Sequence, residues 1–151
     1  MLRRPAEPVV AFDHTLETLA QDLVDSLYAH KGAIGLAAPQ IGVSLRVMVI
    51  DMTANTTRDR PRVLVNPVIV AQSRQKSVRE GCLSFPDYLA NVRRCLRVHF
   101  VARDPFGNVV EDHVEGLEAV CVQHELDHLD GVLMIDRVNS LNSDWIRRTN
   151  S

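Results

Sequence analysis

The segment Gln123–Gly131, with the sequence QHELDHLDG, constrains this chain more than any other stretch. His124 and His128 are four residues apart, so on a helix both imidazoles lie on one face and are close enough to bind one metal ion. Glu125 then lies beside the metal without being a ligand, where a general base for a metal-bound water is needed. Two histidines that merely pack on an ordinary helix give the same pattern, so its chemistry depends on other parts of the chain.

Two helices are predicted from the spacing of apolar residues. The stretch Leu117–Leu133 places apolar residues at helical intervals around the HExxH motif, which is typical of a helix that runs through a core. Thr15–His30 is strongly amphipathic, and either Asp13 or Thr15 provides its N-terminal cap. An amphipathic stripe of this kind packs on a core and implies no function by itself.

Four segments have the composition of β-strands: Leu45–Met52, Arg62–Val70, Val92–Arg103 and Val109–Val114. Pro67 predicts an edge or a bulge, and the turn Asp104–Asn108 joins the last two strands into a hairpin. Residues 71–79 predict a turn or an edge, and Ser140–Arg148 predicts a last helical turn or two. We therefore predict an α+β fold with mostly antiparallel β-sheets packed around a central HExxH-bearing helix, an N-terminal amphipathic helix, and one domain spanning residues 1–151.

Composition gives no support for nucleic-acid or membrane binding and favours a reducing cellular compartment. The net charge of -2 and the pI near 6.3 give no sign of attraction to nucleic acids or membranes, and no apolar run reaches membrane-spanning length. The three cysteines, Cys82, Cys95 and Cys121, are odd in number and far apart, which does not suit a disulfide framework. We therefore expect a cytoplasmic enzyme.

A metal site on the HExxH helix needs a third protein ligand. Zinc proteases with this motif usually take it from a downstream His or Glu, but the chain after the second histidine offers only Asp130, Asp136 and Asp144. Cys82, in the Gly- and Pro-containing segment Glu80–Pro86, is the best candidate by elimination, because a thiolate from another element can complete such a site. The alternative is a buried structural thiol.

The tract Gly32–Gly42 is rich in small residues, which allow another backbone to approach closely. A substrate strand can therefore lie along Ile34 and Gly35. Gln40 brings a neutral amide that can donate a hydrogen bond to a developing oxyanion. A phosphate-binding loop is disfavoured because neither GxxxxGK[ST] nor GxGxxG is present, and a tight turn packed against a sheet is the structural alternative.

Three motifs in this order, AIGLAAPQ, EGCLS and QHELDH, resemble the signatures GxGLAAxQ, EGCLS and HExDH of the peptide deformylase family. The resemblance covers most of the chain. It implies a hydrolase that removes the formyl group from the N-terminal formyl-methionine of newly made polypeptides and releases formate. N-formylmethionyl nascent peptides are then its partners.

The resemblance assigns a role to each matching residue. It implies three metal ligands: Cys82, His124 and His128. Glu125 becomes the general acid/base, and the Gln40 side chain with the backbone N–H of Leu83 forms the oxyanion hole.

The resemblance also implies how substrate binds. The peptide adds as a strand beside backbone at Ile34, Gly35 and Gly81. The methionine side chain enters an apolar pocket whose matching positions are Ile34, Val78, Leu117, Val120 and Cys121.

The metal is predicted differently by two arguments. One thiolate with two imidazoles in a tetrahedral site points to zinc. The resemblance points to Fe(II) as the physiological ion, with Zn, Ni or Co able to occupy the same ligands, and we follow it because ligand softness separates these ions poorly.

The sequence departs from the family pattern at a few positions. Ala33 replaces the first glycine of the first motif, so a methyl group intrudes where the methionine pocket begins. Leu89 stands about where many bacterial members carry an arginine that helps to hold the peptide. The chain stops at Ser151, which is too early for the basic C-terminal helix that many bacterial relatives use at the ribosome, so docking there does not follow from the resemblance.

Two other functions remain open on sequence alone. One is another HExxH metallohydrolase, such as a peptidase that cuts internal bonds. The other is a non-catalytic domain with a structural metal site. We also expect Glu80 and Arg94 to form an ion pair that braces the turn at Cys82.

Overall fold

A computed structural model describes residues 2–148 of the chain. Helix α1 (His14–Ala29) begins at Asp13, whose side chain accepts a hydrogen bond from the backbone N–H of Leu16, so Asp13 is the cap. One face of α1 is buried, through Leu16, Leu19, Ala20, Leu23 and Leu27. Complete burial of one leucine contributes roughly 1.5–3 kcal/mol, so this face fixes the helix against the sheet.

The strands of residues 2–148 form one six-stranded antiparallel sheet in which β1 to β5 are neighbours in chain order and β6 pairs with β4. The strands are β1 (Gly35–Ala37), β2 (Val47–Ile50), β3 (Arg62–Cys82), β4 (Phe85–Arg103), β5 (Val109–Glu115) and β6 (Trp145–Arg147). The other helices are α2 (Gly116–Leu129) and the single turn α3 (Leu141–Asp144), with 3₁₀ turns at Ala38–Ile41 and Met134–Arg137. The predicted α+β class is confirmed.

The β3–β4 hairpin is longer than the sequence predicts. Residues 71–79, predicted as a turn or an edge, continue β3 and pair with β4 from Ala71 opposite His99 to Arg79 opposite Asn91. The turn alternative is wrong, because most of these residues are exposed on this arm of the hairpin and a strand here needs no apolar alternation. The edge alternative is confirmed for the described residues, since this stretch pairs with β4 alone and β2 pairs with β3 only at residues 62–65. A register shift between Val65 and Val68 brackets the proline that predicted a bulge.

Helix α2 lies at the centre of the molecule, and most of its residues are buried. Its side chains join the core cluster that includes Phe100 of β4 and Met48 of β2. Gln123 links α2 to β4 because its amide bonds both the N–H and the carbonyl of Cys95, at 2.9 and 2.6 Å. Leu117 is the exception, since it is 62% exposed and therefore does not belong to the core stripe in which the sequence places it.

The end of the described chain agrees with the prediction in part. Of the helical turn or two predicted within Ser140–Arg148, one turn is present as α3, and β6 follows it where a second turn would lie. The Trp145 ring packs against Phe85 and Tyr88, with ring centroids 5.2 and 5.0 Å apart. This packing and the pairing with β4 outweigh the local helical preference. Between residues 2 and 148, none of the helices has the length and hydrophobicity needed to cross a bilayer.

Candidate active site

Three buried side chains from two elements meet at the end of the long hairpin. Cys82 is the last residue of β3, and His124 and His128 lie on one face of α2. Their ligand atoms all lie within 4.8 Å of one another, and Cys82 Sγ is 3.2 Å from His128 Nε2. The structure thus brings together the sulfur and the two imidazoles that the sequence predicts as a metal site.

A buried charge network holds the first of these histidines in position. Glu80 accepts a hydrogen bond from His124 Nδ1 at 2.7 Å, which leaves Nε2 of that ring to face Cys82. Arg94 donates to Glu80 through two nitrogens, at 2.7 and 3.0 Å, so the expected ion pair is present. Arg94 also donates to Asp127 at 2.7 Å, and Arg137 closes the network on Asp127.

The electrostatics of the cluster favour the ligand form of the thiol. Burial raises the pKa of Cys82, but hydrogen bonds with His124 and His128 outweigh burial and lower the pKa to about 5. The thiolate is the form of cysteine that binds metals. Burial lowers the pKa of His124, yet hydrogen bonds with Cys82 and Glu80 raise it overall, well above its usual range. A thiolate beside two imidazoles is a donor set that fits a divalent transition metal.

Glu125 is buried next to this cluster and is only 4% exposed. Its Oε1 atom has no hydrogen-bond partner among the described residues. Burial raises the pKa of Glu125, partly opposed by the nearby histidines His124 and His128. A buried carboxyl group with an oxygen that no other described residue bonds can accept a proton and donate it again.

Gln40 reaches the cluster from the 3₁₀ turn after β1. Its Oε1 accepts a hydrogen bond from the Ala37 N–H at 3.0 Å, which directs the NH₂ group the other way. Nε2 lies 3.2 Å from Ser84 Oγ and 3.9 Å from Cys82 Sγ. Leu83 follows directly in the two-residue turn between β3 and β4. The amide donor and the Leu83 backbone therefore flank the thiol.

A cleft of about 920 Å³ opens above Cys82, His124 and Glu125. All seven residues predicted to bind substrate line it: Ile34, Gly35, Val78, Gly81, Leu117, Val120 and Cys121. Leu117 was predicted both as a core residue of α2 and as a residue of the methionine pocket. It is not a core residue, but it does line the cleft.

Several residues of the site were not predicted from the sequence. Asp127 and Arg137 belong to the charge network, Ser84 contacts Gln40, and Arg148 lines the cleft. A signal exists only for Asp127, an acidic residue inside a helix that the flanking apolar residues predict to be buried. Arg148 reaches the cleft through β6, and no local pattern predicts that pairing.

Comparison with known proteins agrees with this site. The family model for polypeptide deformylase matches residues 1–144. A peptide deformylase of Alkalilimnicola ehrlichii is 44% identical over 97% of this chain and 82% of its own length, and one of Rhizobium meliloti is 44% identical over 98% and 85%.

Solved structures agree as well. The crystal structure of a peptide deformylase from Legionella pneumophila has a TM-score of 0.87 and 45% identity, and covers 93% of this chain and 81% of that one. The enzyme from Thermotoga maritima has a TM-score of 0.85 at 36% identity, covering 92% and 91%. These similarities extend over nearly the whole chain. They agree with the three sequence motifs and with the converging metal-ligand set. The chain therefore belongs to the polypeptide deformylase family.

Proposed function

We propose that this chain removes the formyl group from N-formylmethionyl nascent peptides through Glu125, acting beside a metal held by Cys82, His124 and His128. Deformylation is the activity in the names of its relatives, which this chain matches over 82% and 81% of their own length. The observation that carries the assignment of roles is the buried cluster itself. Three ligand atoms converge there, and Glu125, one of whose oxygens has no partner among the described residues, lines the same cleft.

The donor set fits a divalent metal, and we propose Fe(II) as the physiological ion, with Zn, Ni or Co able to bind the same ligands. When bound, such an ion would act as a Lewis acid and lower the pKa of a water in the site. The network from Arg94 through Glu80 to His124 supports its binding, because a carboxylate on the far ring nitrogen fixes a ligand histidine in position. Metal analysis after anaerobic purification, joined to a formate-release assay, tests the identity of the ion.

The peptide is proposed to enter between two strand edges. β1 is the outermost strand of the sheet in the described part of the chain, so Gly35 presents free backbone groups to the cleft. Gly81 offers backbone from the opposite wall. An extended peptide can pair with both edges, as in strand addition to other sheets. Its methionine side chain then covers the exposed, apolar Leu117 and the neighbouring Val120.

Glu125 moves the proton in the proposed reaction. Its carboxylate accepts a proton from the attacking water, and the oxygen of that water bonds to the formyl carbon. The protonated Glu125 then donates to the departing amine nitrogen as the carbon–nitrogen bond breaks. Formate and a peptide with a free N-terminal methionine result. The raised pKa of Glu125 suits both halves of this transfer.

Gln40 and the Leu83 N–H are proposed to stabilise the oxygen of the formyl group as charge develops on it. The contact between Gln40 and the Ala37 N–H holds the amide with its donor towards the thiol. Loss of one such donor typically costs about 3 kcal/mol of activation free energy.

Substitution of Glu125 by glutamine tests the central role. We expect formate release to fall by at least roughly 100-fold, because a general acid–base group contributes that much or more, while metal content and folding stay unchanged. Glu118→Gln is the matched control, since Glu118 lies on the same helix and does not line the cleft. Undiminished turnover in the Glu125 variant would remove the proposed role.

A paired assay separates deformylation from peptidase activity. Formyl-Met-Ala-Ser and Met-Ala-Ser are incubated side by side, and formate and free amino acids are both measured. Formate from the first peptide and no cleavage of the second is the expected result. Cleavage of the unformylated peptide alone would favour a peptidase.

The proposed substrate also bears on location. New formylated polypeptides arise where protein is synthesised, and we propose the cytoplasm. The three cysteines are all unpaired, which is consistent with a reducing compartment.

A further inference from the structure

The last described residue, Arg148, lies in the substrate cleft although it is far from the motifs in sequence. The β6 strand carries it there by pairing with β4, where Leu89 lies opposite Ile146. The backbone N–H of Arg148 continues this contact by donating to the Asp87 carbonyl at 2.7 Å. The Arg148 backbone is therefore fixed to the sheet.

The guanidinium of Arg148 lies directly over Gly81. A methyl group built on Gly81 would collide with a terminal nitrogen of Arg148. Gly81 is next to Cys82 in the chain, so this cation lies one residue from the metal-ligand cluster, on the cleft wall proposed to pair with the peptide. Leu89, opposite Gly81 on β4, is apolar and brings no charge.

The rim of the cleft is cationic as a whole. Four exposed basic residues line it: Lys31, Lys76, Arg79 and Arg148. Within residues 2–148, none of them forms an ion pair. Among the described residues, the only carboxylates that line the cleft, Glu80 and Glu125, are buried, and Glu80 is already paired with Arg94.

This charge is not a consequence of overall composition, because the chain has a net charge of -2. A positive rim around a concave site attracts anionic groups and increases their local concentration. The proposed occupant of the cleft is a peptide, so the complementary group is a carboxylate carried by that peptide.

We infer that Arg148 is a specificity-determining residue that binds an acidic side chain of the substrate shortly after the formyl-methionine. The inference rests on the proposed function. An extended strand rises about 3.3 Å per residue, so a peptide whose formyl group lies at Cys82 passes Gly81 within its first two or three residues. Glutamate or aspartate at the second or third position is therefore the preferred partner of Arg148.

The test compares amidated peptides that differ only in one side-chain charge. Formyl-Met-Ala-Glu amide is compared with formyl-Met-Ala-Gln amide, and formyl-Met-Glu-Ala amide with formyl-Met-Gln-Ala amide, using metal-loaded enzyme. We expect kcat/KM to favour glutamate over glutamine by about two- to fivefold in one of these pairs at low salt, the range for an exposed ion pair. The ratio falls towards one at about 1 M salt, where charges are screened over about 3 Å.

Arg148→Gln is expected to bring the glutamate-to-glutamine ratio to about one. Arg147→Gln is the matched control, because Arg147 precedes it in β6, does not line the cleft, and should leave the ratio unchanged. A wild-type ratio of one in both pairs, a ratio that persists in Arg148→Gln, or an equal loss in both variants would overturn the inference. Failure of the proposed function looks different, because then none of the four peptides releases formate.

Discussion

At Gly35, β1 lies against α2 with no room for a side chain. A Cβ atom there would lie 2.7 Å from Cys121 Sγ and 2.8 Å from Glu125 Oε2. The glycine is therefore required by close approach and not by an unusual backbone angle. It sets the distance between the strand proposed to bind peptide and the carboxyl group proposed to move the proton.

Gly35→Ala should consequently lower activity. The added methyl group displaces Glu125, and we expect kcat/KM to fall by roughly 10- to 100-fold, because a misplacement of about 1 Å is that costly in a preorganised site. Steady-state formate release measures this loss of activity. Adding Cys121→Ala removes the nearer contact and should restore part of the activity. Full activity in the single variant would show that β1 can shift to accommodate the methyl group without displacing Glu125.

At the scale of secondary-structure elements, Arg94 links the end of the β3–β4 hairpin to α2. This guanidinium, 4% exposed, lies between Glu80 of β3 and Asp127 of α2, at 2.7 Å from each. Removing one partner from a buried ion pair leaves an uncompensated charge, which is more costly than the net contribution of the intact pair.

Arg94→Met is expected to lower the free energy of unfolding by about 3–5 kcal/mol, as measured by urea denaturation of metal-free protein. Arg97→Met is the control on the same strand, because its partner Glu115 is 70% exposed and such pairs contribute about 1 kcal/mol or less. Equal losses of unfolding free energy in the two variants would contradict the prediction, because the buried ion pair would then contribute no more to stability than the exposed one.

A second link joins α1 to the end of β2. The Tyr28 hydroxyl donates to Asp51, which also accepts from the N–H and hydroxyl of Thr53. Burial raises the pKa of Asp51, but these hydrogen bonds outweigh burial and lower it below its usual value. Because the folded pKa is depressed, the stabilisation is present above the unfolded pKa of about 3.9 and is lost as pH falls through the folded pKa.

Asp51→Asn should therefore destabilise the protein near pH 7 by about 1 kcal/mol, the difference between charged and neutral hydrogen bonds. The difference from wild type should shrink as the pH is lowered below about 4. Urea denaturation across pH 3–7 measures both effects, with Asp22→Asn, an exposed aspartate of α1, as control. A difference that does not change with pH would contradict the assignment to the Asp51 charge.

Patterns of neighbouring residues correctly predicted those elements that depend only on neighbouring residues, such as helix caps and tight turns. Asp13 caps α1 as one of two predicted positions, and the turn at Asp104–Asn108 joins β4 to β5 as expected. The extension of β3 through residues 71–79 and the strand β6 were not predicted, although the edge position of residues 71–79 was. Both depend on pairing with β4, and periodicity along the chain carries no information on pairing. The HExxH pattern and Cys82 came together as predicted, and Arg148 was missed for the same reason as β6.

At the scale of the whole molecule, the proposed metal would add a second link between the end of β3 and α2, beside the hydrogen bond from His124 to Glu80. Cys82 ends β3, while His124 and His128 belong to α2, so a bound ion would cross-link the sheet to the central helix. A ligand that binds only the folded state stabilises it by RT ln(1 + [L]/Kd), which is about 2.7 kcal/mol at a free metal concentration 100 times Kd.

Chelation should therefore lower the free energy of unfolding by about this amount under those conditions, and re-addition of Fe(II), Ni(II) or Zn(II) should restore it. Cys82→Ala removes one ligand and should abolish most of the metal-dependent increment. Cys95→Ala is the matched control, because Cys95 is also buried but lies outside the cluster, so it should keep the increment even if its own stability is lower. An increment of equal size in the Cys82 variant would show that the metal is held elsewhere, and the cross-link between sheet and helix would then have to be abandoned.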